Sequence, residues 1–97
     1  MATYVVLVNW TDQGIRNVED TIGRSEAFRA LSRQLNGEVK ELYWTLGPYD
    51  IVGTFEAPDD ETATAIALAI SKQGNVRTTT MRAYDPDEMR GILGKLP

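Results

Sequence analysis

The side chains of this sequence that could do chemistry are carboxylates, tyrosines, lysines and arginines, because it contains no cysteine and no histidine. Their absence removes thiolate nucleophiles, zinc sites built from cysteine and histidine, and the commonest general base near pH 7. Acid–base chemistry would therefore fall to aspartate, glutamate, lysine or tyrosine. These residues form no recognised catalytic signature, so the sequence leaves any catalytic residues unknown.

The segment Gly47-Pro48-Tyr49-Asp50 is the first candidate site. Proline presets one dihedral angle of a turn, glycine permits a tight reversal, and the aspartate can accept hydrogen bonds from nearby backbone N–H groups. The alternative is that Tyr49 and Asp50 present a phenol and a carboxylate at the mouth of a cleft. We favour the structural interpretation.

Trp10, Tyr43 and Trp44 form a second candidate set, on two predicted strands. We favour a role in the core or in a dimer interface, where aromatic rings contribute large buried areas. The alternative is an aromatic pocket for a flat or apolar ligand.

Arg77 and Arg82 lie in the last predicted strand, on opposite faces if that strand is regular. We favour solvated or ion-paired arginines, but a buried one would be an anchor for a substrate carboxylate. The predicted ligand pocket therefore comprises Trp10, Tyr43, Tyr49, Asp50 and Arg82.

The other charged clusters are expected to have structural roles. Four arginines along the first helical segment are predicted to form a solvated face: Arg16, Arg24, Arg29 and Arg33. The acidic run Asp59-Asp60-Glu61 is interpreted as helix capping, because three consecutive residues at a helix start point in different directions and hard cations need converging oxygens. We predict no metal site and no cofactor.

The elements that must position these residues follow the order β-α-β-β-α-β. Apolar periodicity and turn residues predict strands at Thr3–Trp10, Val39–Leu46, Asp50–Glu56 and Val76–Tyr84. Asp12 is expected to cap a short helical turn. The longer helical segment that follows is interrupted by Gly23, so we expect either a kink there or a fresh start near Thr21, and it stops at Asn36-Gly37. The second helix begins at 57–61, and a capping box at Asp85-Pro86-Asp87-Glu88 begins a short tail helix.

This order predicts an α+β, ferredoxin-like fold: a four-stranded antiparallel sheet with two helices on one face, plus a short C-terminal helix. The other face of the sheet would be open. Tyr4, Val6 and Val8 share one side of the first strand and Val5 and Leu7 the other, so both faces are apolar. Such a face is rarely left wet, and the simple remedy is a two-fold dimer that pairs sheet against sheet.

Size and charge restrict the remaining possibilities. The chain of 97 residues is expected to be one domain, 1–97. A net charge of −4 argues against nucleic acid as the main partner. The N-terminus lacks the pattern of a signal peptide and no apolar run is long enough to span a membrane, so we expect a cytoplasmic protein. The segment Ala63–Ile70 is apolar almost all round, which indicates close packing on the sheet or cover by a partner subunit.

The hairpin Leu42–Val52 resembles the signature of the GYD-domain family, which takes its name from a Gly-x-Tyr-Asp motif matched by Gly47, Tyr49 and Asp50. The resemblance extends over nearly the whole chain, through Asn9-Trp10-Thr11, Gly14-Ile15-Arg16, Ala57-Pro58-Asp59-Asp60 and Gly74-Asn75-Val76-Arg77-Thr78. It implies a dimeric ferredoxin-like domain of the α+β barrel kind. It implies little about activity, because the fold is shared by ligand-sensing domains of leucine-responsive regulators and by cofactor-free monooxygenases.

We therefore predict a small homo-oligomeric, non-enzymatic module that binds a small molecule between sheet and helices or serves as an assembly domain. The alternative is a cofactor-free enzyme, a monooxygenase or isomerase acting on an aromatic or enolisable small molecule. The polar groups of that enzyme would be Asn9, Tyr43, Tyr49, Asp50 and either Arg77 or Arg82. A third interpretation is a regulatory protein whose tail helix docks on another protein.

Overall fold

The predicted order of strands and helices is confirmed. A computed structural model describes all residues, 1–97. Its elements are β1 (Ala2–Trp10), α1 (Asp12–Arg16), a 3-10 turn (Val18–Asp20), α2 (Thr21–Gln34), β2 (Glu38–Trp44), β3 (Ile51–Ala57), α3 (Asp60–Ser71), β4 (Val76–Ala83) and α4 (Pro86–Leu93).

The four strands form one antiparallel sheet in the order β2-β3-β1-β4, as predicted for a ferredoxin-like fold. The central strand β1 pairs on both sides: Tyr4 lies opposite Phe55 of β3 and Arg82 of β4. This central position explains why β1 is apolar in both alternating sets of side chains, since neither of its edges is free and both of its faces need cover.

The core lies between the sheet and helices α2 and α3. Tyr4, Val6 and Val8 of β1 are buried there with Phe55 of β3. The helices contribute several side chains to the same cluster, among them Phe28 of α2, whose ring packs edge-on against Phe55 at 5.8 Å. Burial of each large apolar side chain contributes about 1.5–3 kcal/mol, so this face supplies most of the stability of so small a fold.

The helix boundaries follow the sequence signals closely. Helix α2 starts at Thr21, and the chain leaves it through Asn36 in a left-handed conformation (φ 65°). Gly37 then passes so close to β3 that a Cβ would lie 2.4 Å from the carbonyl oxygen of Glu56. Asp85 and Glu88 form the predicted reciprocal capping box at the start of α4.

Two local predictions were wrong. The cap of α1 is Thr11 rather than Asp12, because the Thr11 hydroxyl accepts the hydrogen bond from the Gly14 backbone N–H at 3.1 Å. Strand β2 ends at Trp44 rather than Leu46, whose side chain is fully exposed.

A β-bulge interrupts the alternation of side chains along β2. Val39 lies opposite Phe55 and Glu41 lies opposite Thr54, so Lys40 is the extra residue of the bulge. The extra residue reverses the alternation, and Val39 and Leu42 therefore both face the helices.

Helix α4 extends away from the rest of the chain. None of the extensive contacts between elements involves α4, and the molecule measures 51 × 30 × 18 Å. Its apolar side chains Met89 and Leu93 are exposed. The tail helix is therefore not part of the core of a single chain.

Candidate functional site

The five residues of the predicted pocket lie in three separate places. The backbone N–H of Trp10 donates to the Asp50 carboxylate at 2.9 Å, so these two residues meet, and Tyr49 precedes Asp50 in the connection between β2 and β3. Tyr43 lies opposite Val52, on the face of the sheet away from the helices. Arg82 lies at the other end of β1, opposite Tyr4.

The Gly47–Asp50 segment fastens the hairpin connection to β1. The Asn9 side-chain amide donates to the Pro48 carbonyl at 2.8 Å, and the Asp50 backbone N–H donates to the Val8 carbonyl at 2.9 Å. Gly47 adopts a φ of 138°, which glycine accommodates most readily. Asp50 and Asn9 thus use their polar groups to hold the fold, as in the structural interpretation of this motif.

Arg82 belongs to a polar cluster at the opposite end of the sheet. Its guanidinium group pairs with the Glu88 carboxylate at 3.1 Å and lies 4.6 Å from the centre of the Tyr84 ring. The buried Tyr4 hydroxyl donates to the Asp60 carboxylate at 2.5 Å, and burial together with this bond raises the pKa of Tyr4 to about 12. Arg82 is therefore engaged with groups of its own chain.

A cavity of about 350 Å³ lies between the sheet and helices α2 and α3. Its volume is at the lower end of the range of small-molecule sites. Most of its wall is apolar, with contributions from the sheet and both helices: Val6, Val8, Ile51, Phe28, Leu31 and Ile70. None of the five residues predicted from the sequence lines this cavity.

One part of the cavity wall is polar and carries positive charge. Arg24 and Lys72 are among the lining residues, together with Gln73 and Asn75, and no lining residue is acidic. The Arg24 Nη2 donates to the carbonyls of Gly14 (3.1 Å) and Asn17, whereas its Nη1 is buried without a hydrogen-bond partner. A buried polar group left unpaired costs about 1–3 kcal/mol, and a charged one more.

The prediction of a solvated arginine face was therefore wrong for Arg24 and Arg29. Arg16 and Arg33 are exposed as predicted. Arg29 is half-buried and donates to the Val39 carbonyl at 3.4 Å, and Arg24 is half-buried and lines the cavity. Helical spacing contains the signal that was missed: Phe28 lies four residues and Leu31 seven residues after Arg24, which places all three on one face of α2.

The second candidate surface is the face of the sheet opposite α2 and α3, called the open face below. Two rows of side chains cross its centre, and the strand register defines them. One row contains Tyr43, Val52, Leu7 and Thr79, and the other contains Glu41, Thr54, Val5 and Met81. Met81 and Tyr43 are 45% and 58% exposed, and no helix covers this face.

Glu41 lies at the β2 end of one central row, and the other charged residues of the open face lie at two diagonally opposite corners. Glu38 and Glu56 pair with each other in register at one corner, where Lys40 lies 3.4 Å and 3.7 Å from their carboxylates. Arg77 lies at the far end of β4, opposite Asn9 of β1. The open face therefore has an acidic corner and a basic corner with an apolar centre between them.

The aromatic residues of the second candidate set do not form one pocket. Trp44 faces the helices, and its indole N–H donates to the Thr21 hydroxyl at 3.0 Å. The hydroxyl of Tyr43 donates to the Glu41 carboxylate at 3.0 Å on the open face, and this bond raises the pKa of Tyr43. Trp44 and Tyr43 thus serve opposite faces of the sheet.

Two other kinds of site are absent from the structure. No group of three or more acidic, histidine or cysteine side chains is placed to hold a metal ion. No helix has the length and apolar character needed to cross a membrane.

Comparison with known proteins identifies the family of this chain. The model of a family described as the GYD domain matches residues 4–93. A Thermus thermophilus protein named glutamine synthetase and cystathionine beta-lyase binding protein is 34% identical over 84 residues. These residues cover 86% of this chain and 88% of that protein.

Solved structures agree with the fold. The crystal structure of TTHA0845 from Thermus thermophilus matches with a TM-score of 0.56 and 26% identity, over 88% of this chain and 95% of that one. FFRP-DM1 matches with a TM-score of 0.57 and 25% identity, over 87% and 100% of the two chains. The leucine response regulatory protein of Mycobacterium tuberculosis has a TM-score of 0.58 over 87% of this chain and 51% of that one. Its identity of 15% supports a shared fold only.

Proposed function

We propose, from the premise that the chain belongs to the GYD-domain family, that it is a small non-enzymatic binding module which forms a homodimer through the open face of its sheet. The observation that carries this proposal is the uncovered apolar centre of that face. Leu7 lies there opposite Val52, and Val5 lies in the adjacent row opposite Met81. The side chains of Tyr43 and Met81, at the ends of these two rows, are exposed. A contiguous apolar surface of this kind marks an interaction site in a folded protein.

The charges at the corners support a second copy of the chain as the occupant. A two-fold axis along one diagonal of the face exchanges the two ends of the other diagonal. Each copy then places Arg77 against the acidic corner, Glu38 and Glu56, of its partner, while the apolar centres pack together. The strands of the two sheets cross at close to a right angle in this arrangement, one of the two common ways in which sheets pack.

The named Thermus thermophilus relative supports a role in binding other proteins. Its name describes a protein that binds two enzymes, glutamine synthetase and cystathionine beta-lyase. The tail helix α4 gives this chain a second surface for such a partner, because Met89 and Leu93 are exposed on a helix that stands away from the core, and Leu96 is exposed just after that helix. We propose that the homodimer presents α4 to an enzyme subunit.

The enzymatic alternative has less support. It requires Asp50 or a tyrosine to be buried in a cleft, where its acid–base properties would be altered. Asp50 instead accepts the Trp10 backbone N–H, and Asn9 donates to a carbonyl of the connection, so both serve the β2–β3 link. A binding module needs no such groups and agrees better with the observed geometry.

A charge in the centre of the open face tests the proposal. The variant Leu7→Glu places a carboxylate in the apolar rows, and Leu68→Glu is the matched control on the exposed side of α3. Light scattering after size-exclusion chromatography is expected to give twice the chain mass of 10.8 kDa for the natural chain and for Leu68→Glu. Leu7→Glu is expected to give the mass of one chain with unchanged circular dichroism. A monomeric natural chain, or a dimeric Leu7→Glu variant, would contradict the proposed interface.

A further inference from the structure

The cavity under helices α2 and α3 has the form of a built site rather than of loose packing. Its apolar wall combines residues from the sheet, α2 and α3, and both of its charged residues, Arg24 and Lys72, are cationic. Small side chains such as Ala27 and Ala69 leave the space open where longer apolar side chains would fill it. The cavity lies on the opposite side of the sheet from the open face, so self-association does not occupy it.

The charge of the wall specifies the ligand chemistry. Arg24 and Lys72 are the ionisable residues of the wall, and both are cationic, although the chain as a whole has a net charge of −4. The carbonyls of Gly14 and Asn17 hold the Nη2 of Arg24, which fixes the guanidinium group and leaves its buried Nη1 without a partner. A guanidinium group held in place in the wall of the cavity attracts a carboxylate, and the ammonium group of Lys72 adds a second positive charge.

We infer that this cavity binds a small amphipathic carboxylate, with its apolar body against Phe28 and Ile70 and its carboxylate between Arg24 and Lys72. An uncharged ligand of the same shape gains the apolar contacts but not the attraction of the two cationic residues, Arg24 and Lys72. An ammonium ligand of the same shape is repelled by the positive charges of Arg24 and Lys72. The site therefore ranks ligands with one apolar body in the order carboxylate, alcohol, amine.

Three probes with a common body test this ranking: 3-phenylpropionate, 3-phenyl-1-propanol and 3-phenylpropylamine. Each is titrated into ¹⁵N-labelled chain, and amide shifts are followed by NMR. The expected result is saturable shifts of the Ser25, Ala69 and Ile70 amides, with the lowest dissociation constant for the carboxylate. Binding of the alcohol or amine as tightly as the carboxylate would overturn the inference, and so would the absence of saturable shifts at these amides.

Two charge-matched variants locate the carboxylate. Arg24→Gln is expected to weaken binding of 3-phenylpropionate about 10- to 100-fold, the range for a hydrogen bond to a charged group, while binding of the alcohol changes little. Arg33→Gln removes an exposed arginine from the same helix outside the cavity and is expected to leave both affinities unchanged. If the two variants weakened binding equally, Arg24 would act only through the net charge of the chain. That result would overturn the placement of the carboxylate beside Arg24.

Two further variants keep the test decisive if Arg24→Gln perturbs the junction of α1 and α2. Lys72→Gln changes an exposed side chain and is expected to weaken only the carboxylate probe. Ala69→Leu narrows the cavity and is expected to weaken all three probes. An unchanged carboxylate affinity in both variants would place the probe elsewhere. Because neither variant touches the open face, both are expected to remain dimeric, so failure of this site and failure of the proposed interface are distinguishable.

Discussion

The two faces of the sheet carry similar apolar side chains on the same strand, but the chain covers only one of them. Along β1, Tyr4, Val6 and Val8 are 3%, 2% and 6% exposed beneath the helices, whereas Val5 and Leu7 between them are only half-buried. Since alternate residues of a strand point to opposite faces, one short segment of sequence specifies both surfaces. The comparison indicates that the covered face makes the fold, and it leaves the open face as the surface that we propose for assembly.

The covered face differs from the open face in a second respect, because it is not completely filled. Phe55 and Ile66 are fully buried on this face, whereas a cavity with Arg24 in its wall remains unfilled. Each face therefore retains one surface for binding. The open face offers an apolar surface suited to a protein, and the covered face offers a small, partly open cavity suited to a small molecule.

The largest expected effect comes from truncating the covered face. Ile66→Ala removes a fully buried side chain of α3 and is expected to lower the free energy of unfolding by about 2–5 kcal/mol, since a cavity replaces its contacts. Leu68→Ala, at an exposed position two residues later, is expected to change it by less than about 0.5 kcal/mol. Urea unfolding measures both values. A large loss for Leu68→Ala would mean that a partner also covers the outer side of α3.

The next largest effect is a pH dependence of the unfolding free energy, which Tyr4 produces at the edge of the covered face. The pKa of Tyr4 is about 12 in the folded chain, because burial and the Asp60 carboxylate disfavour the phenolate, whereas an unfolded tyrosine titrates near pH 10. The folded state thus holds the proton more tightly. This contribution to stability is complete below pH 10 and is lost as the pH rises from 10 to 12.

Tyr4→Phe removes this dependence, because phenylalanine has no proton to lose. The natural chain is expected to lose about 1–2 kcal/mol more of its unfolding free energy than Tyr4→Phe between pH 10 and 12. Urea unfolding at half-unit pH intervals measures the two slopes. Parallel slopes would show that Tyr4 titrates alike in the folded and unfolded states.

A charge reversal on the open face is expected to have a smaller effect. It should weaken association of the two chains and leave the stability of each chain unchanged. Arg77→Glu places like charges together at the corners of the proposed dimer and should raise its dissociation constant about tenfold, which corresponds to ~1.4 kcal/mol. Glu56→Arg should act similarly, and the double variant should recover affinity. Analytical ultracentrifugation measures all four proteins. Additive losses in the double variant would rule out the contact between these corners.

The smallest effect on stability is expected for deletion of helix α4, which belongs to neither face of the sheet. Deletion of the residues after Tyr84 removes α4, which makes no extensive contact with the core. The free energy of unfolding is expected to change by less than about 1 kcal/mol, and the dimer should persist. Circular dichroism and light scattering check this. Loss of folding would place the tail in the core of the assembled protein.

Local sequence signals predicted much of the fold, because the elements depend on them. The capping box at Asp85 and Glu88 and the stop at Asn36 and Gly37 are each set by a few neighbouring residues. The order of elements follows from these boundaries and from apolar periodicity.

The candidate sites could not be predicted in the same way, because they depend on strand register. The bulge at Lys40 changes which residues of β2 face the helices. The sequence around Lys40 does not identify it as the site of a bulge. Trp10 and Arg82 share one face of the sheet but lie at opposite ends, a separation that appears only when β1 and β4 are paired. Arg24 was the exception, since its spacing from Phe28 already placed it on the apolar side of α2.

Chemical cross-linking through single introduced cysteines tests the central claim most directly, because the chain has no cysteine of its own. Val52→Cys lies at the centre of the open face, and Ala65→Cys lies on the exposed side of α3. Two sheets that pack face to face are about 10 Å apart, within reach of a short bismaleimide. We predict rapid formation of a covalent dimer by Val52→Cys and none by Ala65→Cys. Efficient cross-linking through Ala65→Cys with no product from Val52→Cys would contradict the assembly through the open face.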